Sequence, residues 1–101
     1  MAEGMGVKHA REYKEILEDL TVAVSAIRDS YSFFDMSQED WSELGDQEKH
    51  EVMEALADDV FYGLGEEPIL HVGEGVVAYK PKFHVIEVLV DGKEARIVRL
   101  I

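Results

Sequence analysis

The closest approach to a catalytic motif in this chain is the pentapeptide His-Glu-Val-Met-Glu, which runs from His50 to Glu54. It differs by one residue from H-E-x-x-H, which sets two histidines one helical turn apart on a zinc ion. Glu54 could in principle act as the second ligand, but no third ligand is evident. An acidic helix also produces such strings readily, so the simpler interpretation is that His50 borders an apolar face and pairs with Glu54.

Two further histidines, His71 and His84, fall on neighbouring segments with strand character. Together with Tyr79 they could supply the polar groups of an apolar pocket between helices and sheet, as in a small-molecule binder or an enzyme. No serine has an obvious base, and no glycine pair leads into a phosphate-binding helix. The acids at 35–46 lack the spacing of a calcium loop. The sequence therefore predicts no catalytic residue, no metal and no cofactor, and we expect no enzyme.

Charge is the most unusual bulk property of the chain, which has a formal net charge of −12. Residues 1–67 hold 18 acidic and 5 basic side chains, whereas residues 68–101 hold 4 and 5. Residues 35–67 contain 12 acidic side chains, and their only lysine or arginine is Lys49. Such a surface repels nucleic acid and anionic membranes and attracts basic proteins. We expect a protein partner with a basic surface, no direct nucleic-acid binding and no membrane, although a helical face kept soluble by charge is the simpler alternative.

Aromatic residues cluster in front of the acidic segment, at Tyr31, Phe33, Phe34 and Trp41. They either close the core between two helices or form a recognition patch, since aromatic side chains anchor many protein interfaces. Acidic and aromatic residues together make the candidate partner-binding set. Its members are Phe33, Phe34, Glu39, Asp40, Trp41, Glu43, Glu48, Glu51, Glu54 and Asp58.

The predicted role is a non-catalytic interaction module, such as a regulator, antitoxin or immunity-type protein, that docks on a basic partner. One variant is a DNA mimic, whose carboxylates imitate a phosphate rail and inhibit a DNA-binding protein. In the C-terminal third, the segments 79–81 and 85–86, Gly92 and the run 96–100 loosely resemble phage uracil-DNA glycosylase inhibitors. The resemblance covers about 23 residues of hairpin sequence and is not a family assignment.

The compartment follows from what the composition lacks. The chain contains no cysteine, which excludes disulfides and fits a reducing environment. No apolar run approaches the roughly 18 residues of a membrane span. The first seven residues show no hydrophobic segment after their charges, so no signal peptide is expected. These features predict a cytoplasmic protein.

Apolar residues recur every three or four positions in two stretches of the first 65 residues. The first stretch, from about Val7 to Ser30, predicts a helix of about 22 residues. Segment 31–35 breaks this pattern, as an extended piece or as a loop whose rings plug the core. Ser37 resembles the N-cap of a short helix that Gly45 ends. Asp46 then caps a second strong helix over 47–62.

The C-terminal third reads as strands: 69–72, 76–79 and a long hairpin over 83–101. Asp91-Gly92 between two β-branched runs predicts a two-residue type I′ turn. That turn places Val90 opposite Lys93, Glu87 opposite Arg96 and Phe83 opposite Leu100. The predicted fold is α+β, with two main helices and a short one packed on a four-stranded antiparallel meander. We expect a flexible N-terminus at 1–6 and one domain at 7–101, its helical half at 7–65 and its sheet half at 68–101.

Apolar residues on both faces of the long hairpin leave one face without an obvious cover. Two helices can bury one face of a sheet, and an uncovered apolar face is a candidate contact surface. A homodimer through this second face is therefore an open alternative to a foreign partner. The candidate self-association residues are Phe83, Val85, Leu89, Val98 and Leu100.

Overall fold

The computed structural model describes residues 7–101 and confirms the predicted α+β class, with helices packed with a C-terminal four-stranded antiparallel sheet. The flexible segment predicted at 1–6 lies outside the described residues. Among the described helices, none has the length and apolar character needed to cross a bilayer. The elements are α1 (Tyr13–Ser25), a 3-10 helix (Ser30–Phe34), α2 (Gln38–Ser42), α3 (Asp46–Gly63), β1 (Ile69–Val72), β2 (Gly75–Lys80), β3 (Val85–Val90) and β4 (Lys93–Arg99).

Helix α1 begins six residues later than predicted, at Tyr13. The preceding segment, residues 7–12, is not helical, because its backbone bonds to the residue that follows β4. The N–H groups of Ala10 and Arg11 both donate to the carbonyl oxygen of Leu100, at 2.9 and 3.0 Å. Val7 is buried in the core. The prediction of a helix from residue 7 was wrong. An apolar residue such as Val7 gives the same sequence signal whether it belongs to a helical stripe or anchors a segment without helical structure.

The two later helices begin close to the predicted residues. Ser37 caps α2 as predicted, because its hydroxyl accepts a hydrogen bond of 3.0 Å from the N–H of Asp40. The N-cap of α3 is Gly45 rather than Asp46, which is already helical. The side chain of Glu48 reaches back to accept from the N–H of Gly45 at 2.9 Å. This bond satisfies the backbone N–H of the N-cap residue itself, as the N3 glutamate of a capping box does.

The aromatic segment between α1 and α2 does not plug the core. It forms the 3-10 helix, which ends at Asp35 with a φ of 59°. Phe33 and Phe34 keep 38% and 37% of their surface exposed and contact each other edge to face. Tyr31 lies half-buried, stacked on a neighbouring ring. Two rings of this segment are therefore available on the surface.

The type I′ turn is confirmed at the tip of the long hairpin, where Asp91 and Gly92 have φ values of 56° and 75°. The predicted pair of Val90 with Lys93 next to the turn is also confirmed. Beyond it the predicted register was wrong. Leu89 pairs with Glu94 but Val88 pairs with Arg96, so one residue is left over in a β-bulge and every later pair shifts by one. Glu87 consequently faces Ile97 and not Arg96.

The bulge determines which residues of β4 point into the core. A shift of one residue exchanges the two faces of a strand. Ile86 now pairs with Val98, and both are buried, whereas Ile97 is 48% exposed on the opposite face. Leu100 is fully buried as well. Val98 and Leu100 are therefore core residues, and their predicted place on a self-association surface was wrong.

One apolar core joins α1, α3 and one face of the sheet, called here the inner sheet face. Along each strand the residues of this face alternate with residues that point away from the helices. The core residues from the two helices are Ile16, Leu20, Ala23, Val24, Met53, Leu56, Ala57, Val60 and Phe61, and those from the strands are Val72, Val77, Ile86, Val88 and Val98.

A tight turn fastens the sheet to the helical half. The side chain of Asp29, after α1, accepts a hydrogen bond of 2.9 Å from the N–H of Glu74 in the β1–β2 turn. Gly73 precedes it with a φ of +56°, which glycine adopts without strain. A Cβ at Gly73 would also lie 2.6 Å from the carbonyl oxygen of Asp29. The close approach of the two halves therefore requires glycine here.

Candidate functional site

The outward side of α3 carries a row of carboxylates. Glu51, Glu54 and Asp58 are spaced by three and four residues, which places them on one side of the helix. Glu51 and Glu54 are exposed and Asp58 is half-buried. On the short helix α2, the acids Glu39, Asp40 and Glu43 are all exposed as well. We call these six residues the acidic face.

No base of the described residues neutralises the acidic face. The ion pairs of the structure lie elsewhere, around the start of α1 and at the β1–β2 turn. They are Arg11–Glu15 at 3.4 Å, Arg11–Asp19 at 2.7 Å and Arg28–Glu74 at 3.5 Å. The nearest base in sequence, Lys49, instead places its ammonium 5.5 Å from the ring centre of Trp41. The carboxylates of the acidic face therefore make no ion pair with a described residue.

One carboxylate of the acidic face is tied to the fold. Asp58 accepts a hydrogen bond from the hydroxyl of Tyr13 on α1. Burial, and then the hydrogen bond and charge of Asp58, raise the pKa of Tyr13 above its ordinary value. The phenol therefore stays protonated and keeps its donor on Asp58. Among the predicted binding acids, Asp58 and the capping Glu48 already have intramolecular partners, and Glu51 accepts a hydrogen bond of 3.3 Å from the side chain of Gln47 on the same helix.

The four aromatic residues between positions 31 and 41 form two pairs. Trp41 stacks on Tyr31, with ring centres 5.3 Å apart and planes 15° from parallel. Phe33 and Phe34 form the other pair and lie half-exposed on the 3-10 helix. The 3-10 helix contacts both α2 and α3, the two helices that carry the acidic face.

The near-motif from His50 to Glu54 does not assemble a metal site. In the part of the chain that the structure describes, no three His, Cys, Asp or Glu side chains come together around a point where an ion could bind. His50 and Glu54 instead line a surface depression of about 390 Å³ between α1 and α3. Its α1 side consists of Glu18, Thr21, Val22 and Ser25.

The pocket predicted between helices and sheet does not form from its three proposed polar residues. His71 faces Val76 on the sheet side that points away from the helices. Tyr79 lies on the inner sheet face and packs against the core. His84 belongs to the β2–β3 connection, where it has a φ of 55°. The two histidines therefore lie at opposite ends of the sheet, and Tyr79 lies on the other face from His71.

A cavity that the sequence did not suggest lies beside Trp41, where the end of α1 meets the start of α3. Its volume is about 260 Å³. Arg28, Lys49 and His50 contribute the charged or ionisable groups of its wall, and its remaining lining residues are Ser25, Ile27, Ser30, Trp41 and Met53. The available signal was that Arg28, Lys49 and His50 are the only basic side chains of residues 26–67.

The side of the sheet turned away from the helices is a second surface of interest, called here the outer sheet face. Register places Ile69, Ala78, Glu87 and Ile97 side by side across its middle. Ile69 is 53% exposed and Ile97 is 48% exposed. A neighbouring row across the same face consists of His71, Val76, Leu89 and Glu94.

The predicted self-association residues are thus only partly on this face. Val85 and Leu89 lie on it and are half-buried. Phe83 is 73% exposed in the β2–β3 connection beside it. Val98 and Leu100 are absent from it, because they point into the core.

Comparison of the chain with protein-family models, with curated proteins and with solved structures gave no match. The surfaces described above therefore have to be interpreted from their own geometry and chemistry.

Proposed function

We propose that the protein is a non-catalytic interaction module that binds a basic protein surface through its acidic face. The observation that carries this proposal is the absence of any ion pair to α2 or α3 among the described residues, although three pairs form elsewhere. Uncompensated carboxylates on one side of a small domain speed its encounter with a positive surface and orient it.

The neighbouring rings supply the short-range part of such an interface. Charge at an interface mainly sets the rate of association and the choice of partner, whereas buried aromatic anchors set how long the complex lasts. Phe33 and Phe34 are half-exposed on the 3-10 helix, which contacts α2 and α3, and they need no rearrangement to be contacted. A partner with lysines or arginines around an apolar recess matches this arrangement.

The carboxylates of the acidic face that lie on α3 are about one helical turn apart. An α-helix rises about 1.5 Å per residue, so residues 51, 54 and 58 are separated by about 4.5 and 6 Å along the axis of α3. A DNA mimic, whose carboxylates imitate the phosphates of a DNA strand, is a special case of the proposal in which the basic surface of the partner is a DNA-binding groove.

The test is a pull-down with tagged protein, washed at low and then at high salt, comparing wild type with Glu51→Gln/Glu54→Gln. We expect basic proteins to be retained by wild type, released by salt and largely lost in the variant. Glu66→Gln/Glu67→Gln is the matched control, because it removes the same charge from an exposed loop outside the face. A captured protein that ignores salt and both variants would refute the proposal, and competition by duplex DNA would identify the DNA-mimic case.

We propose a second contact, between two copies of the chain, through the outer sheet face. A two-fold axis parallel to the strands, between β2 and β3, lays β1 of one copy over β4 of the other. Ile69 then meets Ile97, and Val76 meets Leu89. The same rotation brings His71 over Glu94, an interaction that occurs twice in the dimer. This complementarity of the face to itself supports a second copy as its occupant.

The size of the face predicts a weak dimer. Four strands about 4.8 Å apart, with three rows of side chains, cover roughly 400 Å². Stable complexes bury about 800 Å² per partner. We therefore expect association that depends on concentration in the micromolar range or above.

Sedimentation velocity over a concentration series tests the dimer. Ile97→Lys should remove the association, whereas Val22→Lys should preserve it, because Val22 is an equally exposed β-branched residue on α1. Glu94→Lys should weaken the dimer, and His71→Glu combined with Glu94→Lys should restore it. A wild-type monomer at every concentration would exclude the dimer without affecting the acidic-face proposal.

A further inference from the structure

The cavity beside Trp41 concentrates positive charge inside the acidic half of the molecule. Residues 26–67 contain 13 acidic side chains, two cationic ones and one histidine. Both cations, Arg28 and Lys49, line the cavity, as does His50, and none of the 13 acids does. From this segregation we propose that the cavity is a binding site for a small anion, a compact apolar or ring-shaped molecule that carries one phosphate or carboxylate group.

The floor of the cavity holds a polar group without a strong partner. Ser30 is 3% exposed, and its hydroxyl donates only to the sulfur of Met53, at 3.3 Å. A thioether is a weak acceptor, so this buried donor gains little from the contact. Rotation about one bond would redirect the hydroxyl to an anionic oxygen, and hydrogen bonds to charged acceptors are stronger than neutral ones.

The cations are held loosely enough to turn towards a ligand. Arg28 contacts Glu74 at 3.5 Å, but both side chains are largely exposed, at 84% and 62%, and such surface pairs contribute little. Lys49 rests over the ring of Trp41, a contact that an anionic ligand would replace. Neither cation is bound to a carboxylate of the acidic face.

The remaining wall sets the size and character of the ligand. Ile27, Met53 and Trp41 are apolar, so they suit the carbon skeleton of the ligand rather than its charged group. A volume of about 260 Å³ is slightly below the 300–1,000 Å³ of typical ligand pockets. One ring with one anionic group fits this space, whereas a dinucleotide does not. The site goes beyond the basic-partner proposal and does not depend on it.

Trp41 makes the site directly measurable, because it is the only tryptophan of the chain. The probes are phenyl phosphate, benzoate and inorganic phosphate, each titrated at constant ionic strength. We expect a saturable change in tryptophan fluorescence, and a shift of the Ser30 and His50 amide signals in nitrogen–proton NMR spectra. If phenyl phosphate binds more tightly than benzoate, the anionic group of the ligand is assigned as a phosphate. The reverse order of affinities would assign a carboxylate.

Two matched double variants separate the site from general electrostatics. Arg28→Gln/Lys49→Gln removes both cavity cations, and we expect affinity to fall about tenfold or more, as for the loss of charge-assisted hydrogen bonds. Lys8→Gln/Lys14→Gln removes two exposed cations outside the cavity, and affinity should stay within about twofold. NMR provides the affinity for each variant, since replacing Lys49 changes the fluorescence of Trp41 itself.

Two results would overturn the inference. The first is the absence of saturation with any of the three probes up to about 10 mM, where even millimolar binding would be evident. The second is an equal loss of affinity in both double variants, which would mean that only net charge matters. Neither result would affect the pull-down test of the acidic face.

Discussion

The helical half and the sheet half of this chain expose different kinds of surface. The helical half, residues 7–65, carries 15 of the 22 acidic residues, and the carboxylates of its acidic face make no ion pair with a described residue. The sheet half is nearly balanced in charge and presents Ile69 and Ile97 to solvent. Charge acts over a distance and weakens with salt, whereas apolar surface acts on contact and tolerates salt. The two proposed contacts, one through each half, should therefore respond differently to salt.

Leu100→Ala should have the largest effect, because it tests whether the sheet has one buried and one exposed face. Leu100 is fully buried, and truncating such a residue costs about 2–5 kcal/mol. Ile97→Ala, three residues earlier on the outer sheet face, should cost less than about 1 kcal/mol. Urea unfolding of both variants measures the difference. Equal losses would contradict the bulged register.

Gly73→Ala should come next, because it tests whether the two halves are fastened at the β1–β2 turn. We expect a loss of about 2–3 kcal/mol from the strained φ together with the collision with Asp29. Gly92→Ala is the matched control: its φ of +75° is equally strained for alanine, but no atom lies within 4 Å of the added Cβ. Its cost should be about 1 kcal/mol. Thermal or urea unfolding that gave the two variants the same cost would contradict a tight fit at Asp29.

Tyr13→Phe tests whether Asp58, unlike the other carboxylates of the acidic face, stabilises the fold through a hydrogen bond to another helix. Loss of the hydrogen bond to Asp58 should cost about 1 kcal/mol at neutral pH. The pKa of Tyr13 is raised in the folded state, so its contribution is complete below the ordinary value of about 10 and declines as the pH rises further. Urea unfolding between pH 8 and pH 11 should therefore bring wild type and variant together at the alkaline end. A constant difference would contradict this assignment.

Neutralising the acidic face should have the smallest effect on stability and the opposite sign. Glu51→Gln/Glu54→Gln relieves repulsion between like charges, so the free energy of unfolding should rise by a few tenths of a kcal/mol at low salt. High salt should remove this gain because it screens the repulsion. The pair Lys80→Gln/Lys82→Gln in the sheet half should show no such gain. Urea unfolding of both double variants at two salt concentrations measures these changes. A loss of stability in Glu51→Gln/Glu54→Gln at low salt would contradict the expected relief of repulsion.

Local signals predicted most of the fold. The cap at Ser37, the turn at Asp91 and Gly92, and the meander all follow from preferences that act within a few residues. The start of α1 did not follow, because residues 7–12 are held by the far end of the chain through Leu100. The N-cap of α3 was missed by one residue, since Asp46 and Gly45 are both acceptable caps.

Less of the candidate site than of the fold could be predicted from the sequence. That the acids of α3 share one side follows from helical spacing alone. The cavity beside Trp41 did not follow, because Arg28 lies in the segment after α1 whereas Lys49 and His50 lie on α3, and only tertiary packing brings them together. Whether His71 and His84 share a site also stayed open, since strand order without register does not place side chains.

The single unpaired residue in β4, Ala95, determines which of the last residues of the chain point into the core. Before it, odd-numbered residues of β4 point towards the helices, and after it even-numbered residues do. Deleting Ala95 would remove the bulge and keep the pairs on both sides of it, so Val98 and Leu100 would stay in the core. Inserting one further residue beside Ala95 would instead turn Ile97 inward and Val98 and Leu100 outward, because a shift of one residue exchanges the two faces of a strand. In homologues of this chain we therefore expect a deletion at position 95 to be tolerated and an insertion there to be rare.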